Sequence, residues 1–214
     1  MEVNHIFVFS CIQGKEADEL VDVGLAEGSN RIHPGQGTRN RKFYFRNFYL
    51  EIAWVFDEKQ VRNQLVASTG LWERACFQEN GFSPFGICFT HTSDLDKFFK
   101  GSVIYEPAYI PDGTFFEIIT NHEQPDLPWT CRLPAMKIDF SGEPMDHMPG
   151  MRNLTKVSFG IKQVNFRNEL FSFLKSTAFF DFFVSEKPFM VLEFDNRSLE
   201  KTIVLQHLPV SIEF

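Results

Sequence analysis

Three glutamates recur in one local setting: "YLEIA" with Glu51, "FFEII" with Glu117 and "VLEFD" with Glu193. Each follows an aromatic or aliphatic pair inside a stretch that reads as a β-strand. A carboxylate there is costly unless it is solvated, paired or bound to a metal. Three such carboxylates imply side chains turned into a shared concavity, where solvent or a metal satisfies them. Near the amino terminus, period-two alternation puts His5, Phe7 and Phe9 on one strand face. The same alternation puts Tyr49, Glu51 and Ala53 on one face of another strand. If both faces turn inward, an imidazole and a carboxylate converge.

Other candidates are weaker. The loop "HPGQGT" lacks the Gly-Lys-Ser/Thr ending of a phosphate cradle and opens no helix, so its glycines read as turn formers, with His33, Thr38 and Asn40 on the rim of a cup. Arg74, on a linker helix, is a candidate for an ion pair or an anionic substrate. Cys88 and His91, three apart in one strand, face opposite sides and make no nucleophilic pair. His122, His147 and His207 lack companions at ligand spacing and read as surface or structural residues.

The elements that would position these residues repeat. "HIFVFS" reads as a strand, "KEADELVDVGLAEG" as a helix stopped at Gly28, and a piece around Asn30 to His33, then Lys42 to Arg46 and Phe48 to Phe56, as strands. A linker with a helix at "GLWERACFQENG" follows. Then "FGICFTH", a short helix "SDLDKFFKG" and the strands "VIYEPAYI" and "FFEIITN" repeat the theme. The Pro-, Met- and Gly-rich stretch from His122 to Arg152 reads as an irregular crossover. A third round follows, with "NLTKVSFGI", helix "NFRNELFSFLKS", and strands "AFFDFFVS", "FMVLEFD" and "TIVLQHLPVSIEF". The expected divisions are a first βαβββ module over 1–56, a linker over 57–83, a partial second module over 84–123, the crossover over 124–151, and a third βαβββ-like unit over 152–214.

Composition supports a folded chain. There are 26 Phe against 4 Tyr in 214 residues, so Phe packing must build the interior. A net charge of −7, with no basic run interleaved with aromatics, argues against nucleic acid. A small molecule or a protein is the expected partner. No basic leader and no run of eighteen apolar residues is present, which points away from export and membrane insertion and towards a cytoplasmic protein. Four scattered cysteines without a CxxC pair read as reduced, buried thiols.

The opening "NHIFVF", its helix, "HPGQGTRN" and "YLEIAW" resemble the glyoxalase-like members of the vicinal oxygen chelate superfamily, the glyoxalase/bleomycin resistance/extradiol dioxygenase group. The resemblance is most specific over residues 4–56 and continues more loosely to about His122. It implies an α+β fold in which βαβββ modules pair, so that curved mixed sheets form a cup, often around a divalent metal.

The resemblance also implies roles. The family takes one metal ligand from the start of a module's first strand and a glutamate from its last, the places of His5 and Glu51. Such a pair suits Zn, Ni, Mn or Fe(II). Glu117 or Glu193 would complete the site or act as the catalytic base, with His33, Asn40, Arg74 and Lys156 around the substrate. The implied activity is that of a metal-dependent lyase, isomerase or dioxygenase on an oxygen-bearing substrate, in a monomer or homodimer. The sequence departs from the pattern at Gly86 and Lys156, where the later repeats would place ligands. Lys156 would instead pair with a glutamate and replace the metal. That departure keeps open a metal-free, bleomycin-resistance-type binding protein and, more distantly, a structural interaction protein.

Overall fold

The computed structural model describes residues 1–133, 140–164 and 167–214. Residues 134–139 of the expected crossover, and 165–166 at the start of the helix expected in the third unit, lie outside that set. In chain order the first elements are β1 (Val3–Phe9), α1 (Ala17–Asp22), β2 (Arg31–His33), β3 (Thr38–Tyr44) and β4 (Tyr49–Val55). Four short linker helices follow: α2 (Glu58–Val61), α3 (Gln64–Ala67), α4 (Leu71–Ala75) and α5 (Phe77–Asn80). Asp57 and Asn63 start the first two of these, each side chain accepting a backbone N–H in the first turn. Next come β5 (Phe85–Phe89), a short 3-10 turn at Ser93–Leu95, β6 (Val103–Tyr105), β7 (Phe116–Ile119) and β8 (Trp129–Arg132).

These strands form one eight-stranded sheet in the order β2-β3-β4-β1-β5-β8-β7-β6. The order is symmetric about its centre. β1 is parallel to β4, β5 is parallel to β8, and β1 and β5 run antiparallel between the two halves. Each half is a βαβββ-type unit, with a 3-10 turn in place of a full helix in the second. The mixed sheet curls into a half-barrel cup, as the resemblance implies. The second unit is complete, because β8 lies inside the stretch expected to be an irregular crossover. Its connection from β7 runs over residues 120–128, whereas β3 and β4 are joined through residues 45–48 alone.

The remaining strands, β9 (Leu154–Ile161), β10 (Phe180–Val184), β11 (Phe189–Phe194), β12 (Thr202–Val204) and β13 (Val210–Glu213), with α6 (Glu169–Lys175), make a second sheet in the order β10-β9-β11-β13-β12. Here β10, the strand after the helix, lies parallel and next to β9, a direct crossover. In the first unit the corresponding strand sits at the far edge. The third unit therefore differs in topology from the βαβββ pattern expected of it.

Side-chain alternation divides the large sheet's two faces. Ile6, Val8, Leu50, Ile52, Phe85, Ile87 and Phe89 point to the rear and share one apolar core with Val157, Phe159, Leu192, Phe194 and Val210 of the second sheet. Phe85 meets Phe159 and Phe89 meets Phe180, with ring centroids 5.7 and 6.0 Å apart. Each fully buried ring of this kind contributes about 1.5–3 kcal/mol. The second sheet thus backs the cup instead of closing it. Phe7, Phe9, Ala53, Cys88, Trp129 and Cys131 point the other way, into a second apolar cluster with Val61, Val66 and Leu71 of the linker helices. Those helices cover the cup at one side, where Trp129 Nε1 donates to the Thr69 carbonyl at 2.6 Å.

Candidate functional site: the cup

The curled sheet encloses a cavity of about 450 Å³, within the usual size of small-molecule sites. Its walls carry alternate residues of the central strands: His5, Phe7 and Phe9 from β1, Tyr49, Glu51 and Ala53 from β4, and Cys88, Trp129, Cys131 and Leu133 from and just after the second unit's inner strands. At the mouth, the β2–β3 loop meets the loop after β6. Tyr109 Oη donates to Gln36 Oε1 at 2.6 Å, and an Arg31 guanidinium nitrogen donates to the Tyr109 carbonyl at 2.9 Å. The far edges of the sheet are clipped together by these bonds.

His5 and Glu51 come together on the cup floor, 8% and 6% exposed, with His5 Nε2 3.5 Å from Glu51 Oε2. Each is held from outside the cavity. Asn4 Oδ1 lies 2.8 Å from His5 Nδ1, and because an amide oxygen only accepts, Nδ1 carries the proton and Nε2 presents a lone pair. The Tyr49 ring stacks on the imidazole at 4.5 Å. Asn40 Nδ2 donates to Glu51 Oε1 at 2.8 Å. Burial, reinforced by the Lys42 and His33 charges, pulls His5 down to about 3, so the ring is neutral. Burial pushes Glu51 up, against the pull of Asn40 and Lys42.

Lys42 lies directly across the β3–β4 ladder from Glu51, yet the two charges are not paired. Its ammonium sits 5.2 Å from the Tyr44 ring and 5.6 Å from the Tyr49 ring. Among the described residues no carboxylate lies within ion-pair distance of it. The neighbouring Glu143 carboxylate is occupied by the Ser29 backbone and hydroxyl. His33, tied to Thr38 Oγ1 at 2.8 Å, lines the mouth and is drawn down to about 4 by burial and by the Arg31 and Lys42 charges.

The other expected site residues lie elsewhere. Glu117 stands between Phe116 and Ile118, which line the cavity, so it faces the rear. There it pairs with Arg132 at 2.6 Å, while Arg132 also binds Asp96. Glu193 is on the second sheet, half-buried, opposite Lys156 in register. Lys156 pairs with Asp181 at 3.2 Å, not with a glutamate of the cup. Arg74 is fully buried and donates to the carbonyls of Thr120, Ser83, Pro125 and Leu127 at 2.6–3.2 Å. It therefore clamps the β7–β8 connection to the segment before β5 and is not among the residues that line the cup. The three glutamates do not share one concavity, because the local sequence around each fixes strand propensity and leaves its face to the register.

Register also fixes the places where a metal set would stand. Ile6 opposes Ile87, with His5 opposite Cys88 and Phe7 opposite Gly86. A two-fold axis through the isoleucine pair exchanges His5 with Gly86 and Phe7 with Cys88. Glu51 pairs with Phe7 on β1 and Cys131 pairs with Cys88 on β5, so Cys131 corresponds to Glu51. A Cβ on Gly86 would lie 2.0 Å from the Phe7 ring, which occupies the place a side chain would take. Burial raises the Cys88 thiol well above its usual range, keeping it protonated. Among the described residues no group of three or more His, Cys, Asp or Glu is disposed to hold a metal. A catalytic metal site needs about three protein ligands, and the described donors of this cup, His5 and Glu51 with two cysteine thiols opposite, fall short of such a set.

Type and motif do not single out Lys42, Tyr109 or Trp129, and they mark Tyr49 only as sharing the Glu51 face and Cys131 only as a buried thiol. Lys42 was within reach of the β3–β4 pairing register, whereas Trp129 and Cys131 fall in the Pro-rich stretch that hid β8. Among the described residues no helix is long and apolar enough to cross a membrane, and all four cysteines are free thiols.

No family model matches the sequence, and no curated protein matches it. Solved structures do. A hypothetical protein from Staphylococcus aureus aligns over 99% of this chain and 98% of its own, with a TM-score of 0.58 at 11% identity. A hypothetical protein from Bacillus halodurans C-125 aligns over 64% of this chain and 98% of its own, with a TM-score of 0.38 at 12% identity. A variant of 4-hydroxymandelate synthase from Streptomyces coelicolor aligns over 99% of this chain and 61% of its own, with a TM-score of 0.41 at 12% identity. What the Staphylococcus aureus protein shares with this chain is the fold.

Proposed function

We propose that this chain is a glyoxalase-like protein of the vicinal oxygen chelate type that binds a small hydrophobic molecule in its cup without a resident metal. The observation that carries this reading is the pairing of Gly86 with Phe7. The place where the second unit would supply a ligand to a metal is filled by a phenyl ring, and the equivalent of Glu51 is Cys131. On the floor, His5 and Glu51 of the first unit present a nitrogen and an oxygen donor, while the second unit's inner strands contribute Cys88, Phe116, Ile118, Trp129 and Cys131. The cavity draws its lining from residues 5–140, so the site needs no second copy of the chain.

Thermal unfolding with and without added Zn, Ni, Mn or Fe(II) tests the metal-free half of the reading. The expected result is no shift in wild type or in His5→Ala. A metal-induced rise in wild type that His5→Ala abolishes would return the cup to metal chemistry. A neutral aromatic probe, 3-phenylpropan-1-ol, tests the binding half. Saturation at a hundred times Kd stabilises by about 2.7 kcal/mol, a readily measured shift.

A further inference from the structure

Among the described residues the cup's polar groups are unevenly distributed, and three that stand without a full set of polar partners, His5, Lys42 and Glu51, come from neighbouring strand positions. Glu51 Oε2 and His5 Nε2 are neighbouring acceptors with 3.5 Å between them, and neither donates to the other when Nδ1 holds the imidazole proton. Lys42, directly across the ladder, offers N–H donors to aromatic faces and to no carboxylate among the described residues. Side chains opposed in an antiparallel pair start about 4.5–5.5 Å apart, close enough for a salt bridge. Instead Glu51 is drawn aside by Asn40, and the Lys42 ammonium lies against Tyr44 and Tyr49. The acceptor pair and the cation line the same cavity as Phe7, Phe9, Phe116 and Trp129.

Resting on the binding reading above, we propose that the ligand is a hydrophobic α-amino acid. Its ammonium is shared by Glu51 and His5, its carboxylate pairs with Lys42, and its side chain lies in the aromatic part of the cup. A zwitterionic head carries both charges on adjacent atoms, which suits two opposite charges on neighbouring strand positions. It also supplies the donors that the buried carboxylate lacks on its Oε2 side.

Titration calorimetry with four probes tests this directly. L-phenylalanine is compared with L-phenylalaninol, which lacks the carboxylate, with 3-phenyllactate, which lacks the ammonium, and with neutral 3-phenylpropan-1-ol. The expected result is at least tenfold tighter binding of phenylalanine than of any other probe. Lys42→Gln should reduce phenylalanine to the level of phenylalaninol, and Glu51→Gln should reduce it to that of phenyllactate. Far-UV circular dichroism checks that both variants fold, and the probe series in wild type stands without them. Equal or tighter binding of 3-phenylpropan-1-ol or phenyllactate overturns the amino-acid assignment and leaves the hydrophobic cup in place. Failure of all four probes overturns the binding reading with it.

Discussion

The two units of the large sheet share a strand order and differ in what they turn towards the cavity. The first contributes His5, Lys42, Tyr49 and Glu51; the second contributes Cys88, Trp129, Cys131, Phe116 and Ile118. The pairing that relates them leaves the backbone nearly symmetric and the chemistry one-sided. A half-barrel of this kind needs only alternation and curl, so the side chains on its inner face are free to diverge while the outer face keeps the apolar residues that pack on the second sheet, with the Glu117–Arg132–Asp96 ion pairs towards the β7 edge. On the proposed reading the polar half would hold a head group and the apolar half a body, a division a symmetric ligand set would not provide.

The units also differ in how their last strands are reached, and the largest expected effect lies there. Residues 45–48 join β3 to β4, whereas residues 120–128 join β7 to β8 and are held by the Arg74 guanidinium through three carbonyl oxygens, a fourth bond tying the same side chain to Ser83 ahead of β5. Burial lowers Arg74 only to about 9, so it is charged at neutral pH. Arg74→Met leaves those buried carbonyls without their donor and should cost about 3–5 kcal/mol in urea unfolding. Arg74→Lys should recover little of this, because one ammonium does not span the fork. A loss under about 1 kcal/mol would show that the connection holds itself.

The same contrast explains what the sequence made legible. In the first unit a short turn and unbroken alternation on β1 and β4 were enough to place His5 and Glu51 on faces able to meet. In the second unit the strand equivalent to β4 follows a segment with Pro125 and Pro128, so the apolar pattern of Trp129 to Leu133 carried too little length to stand out. Glu117 was attractive because "FFEII" looks like "YLEIA". The match was local, and register set its side chain on the opposite face. Glu193 lay on a sheet whose topology a helix-strand outline does not distinguish from a βαβββ unit. Arg74 read as a substrate residue because charge on a linker helix gives no hint of the carbonyls that converge on it.

Gly86 measures the asymmetry most directly. A Cβ there would come within 2.0–2.6 Å of Phe7 ring atoms, so Gly86→Ala must displace the ring or the strand. The expected cost is about 2–3 kcal/mol, as for overpacking a tight core, and Phe7→Leu in the same chain should return at least half of it. Denaturant midpoints of the single and double variants decide the point. A neutral Gly86→Ala would place the Phe7 ring elsewhere and reopen that wall to a ligand.

Acid should weaken the first unit before the second. His5 and His33 are held near 3 and 4 in the folded chain against about 6.5 when unfolded. The unfolded chain therefore takes up protons first. The stability this neutrality contributes is complete above about pH 6.5 and falls as pH is lowered towards the folded values. Between pH 6.5 and 5 each histidine should cost roughly 2 kcal/mol. Glu51, with its folded value raised, acts in the opposite sense and softens the slope. His5→Gln with His33→Gln should flatten the decline measured by urea unfolding across that window. An unchanged slope in the double variant would place the sensitivity outside the cup.

The smallest effect belongs to the rear sheet. Lys156 and Asp181 form a half-exposed pair at 3.2 Å, on a sheet whose inner face makes core contacts and whose outer face meets solvent. Such pairs contribute about 0–1 kcal/mol, so Lys156→Met should change the unfolding midpoint by less than about 0.5 kcal/mol and leave probe affinity in the cup unchanged. Lys42→Met, one sheet away, should leave stability similar but lower the affinity for phenylalanine at least tenfold. If instead Lys156→Met weakens probe binding more than threefold, the two sheets are coupled, and the division into a polar front unit and an inert support fails.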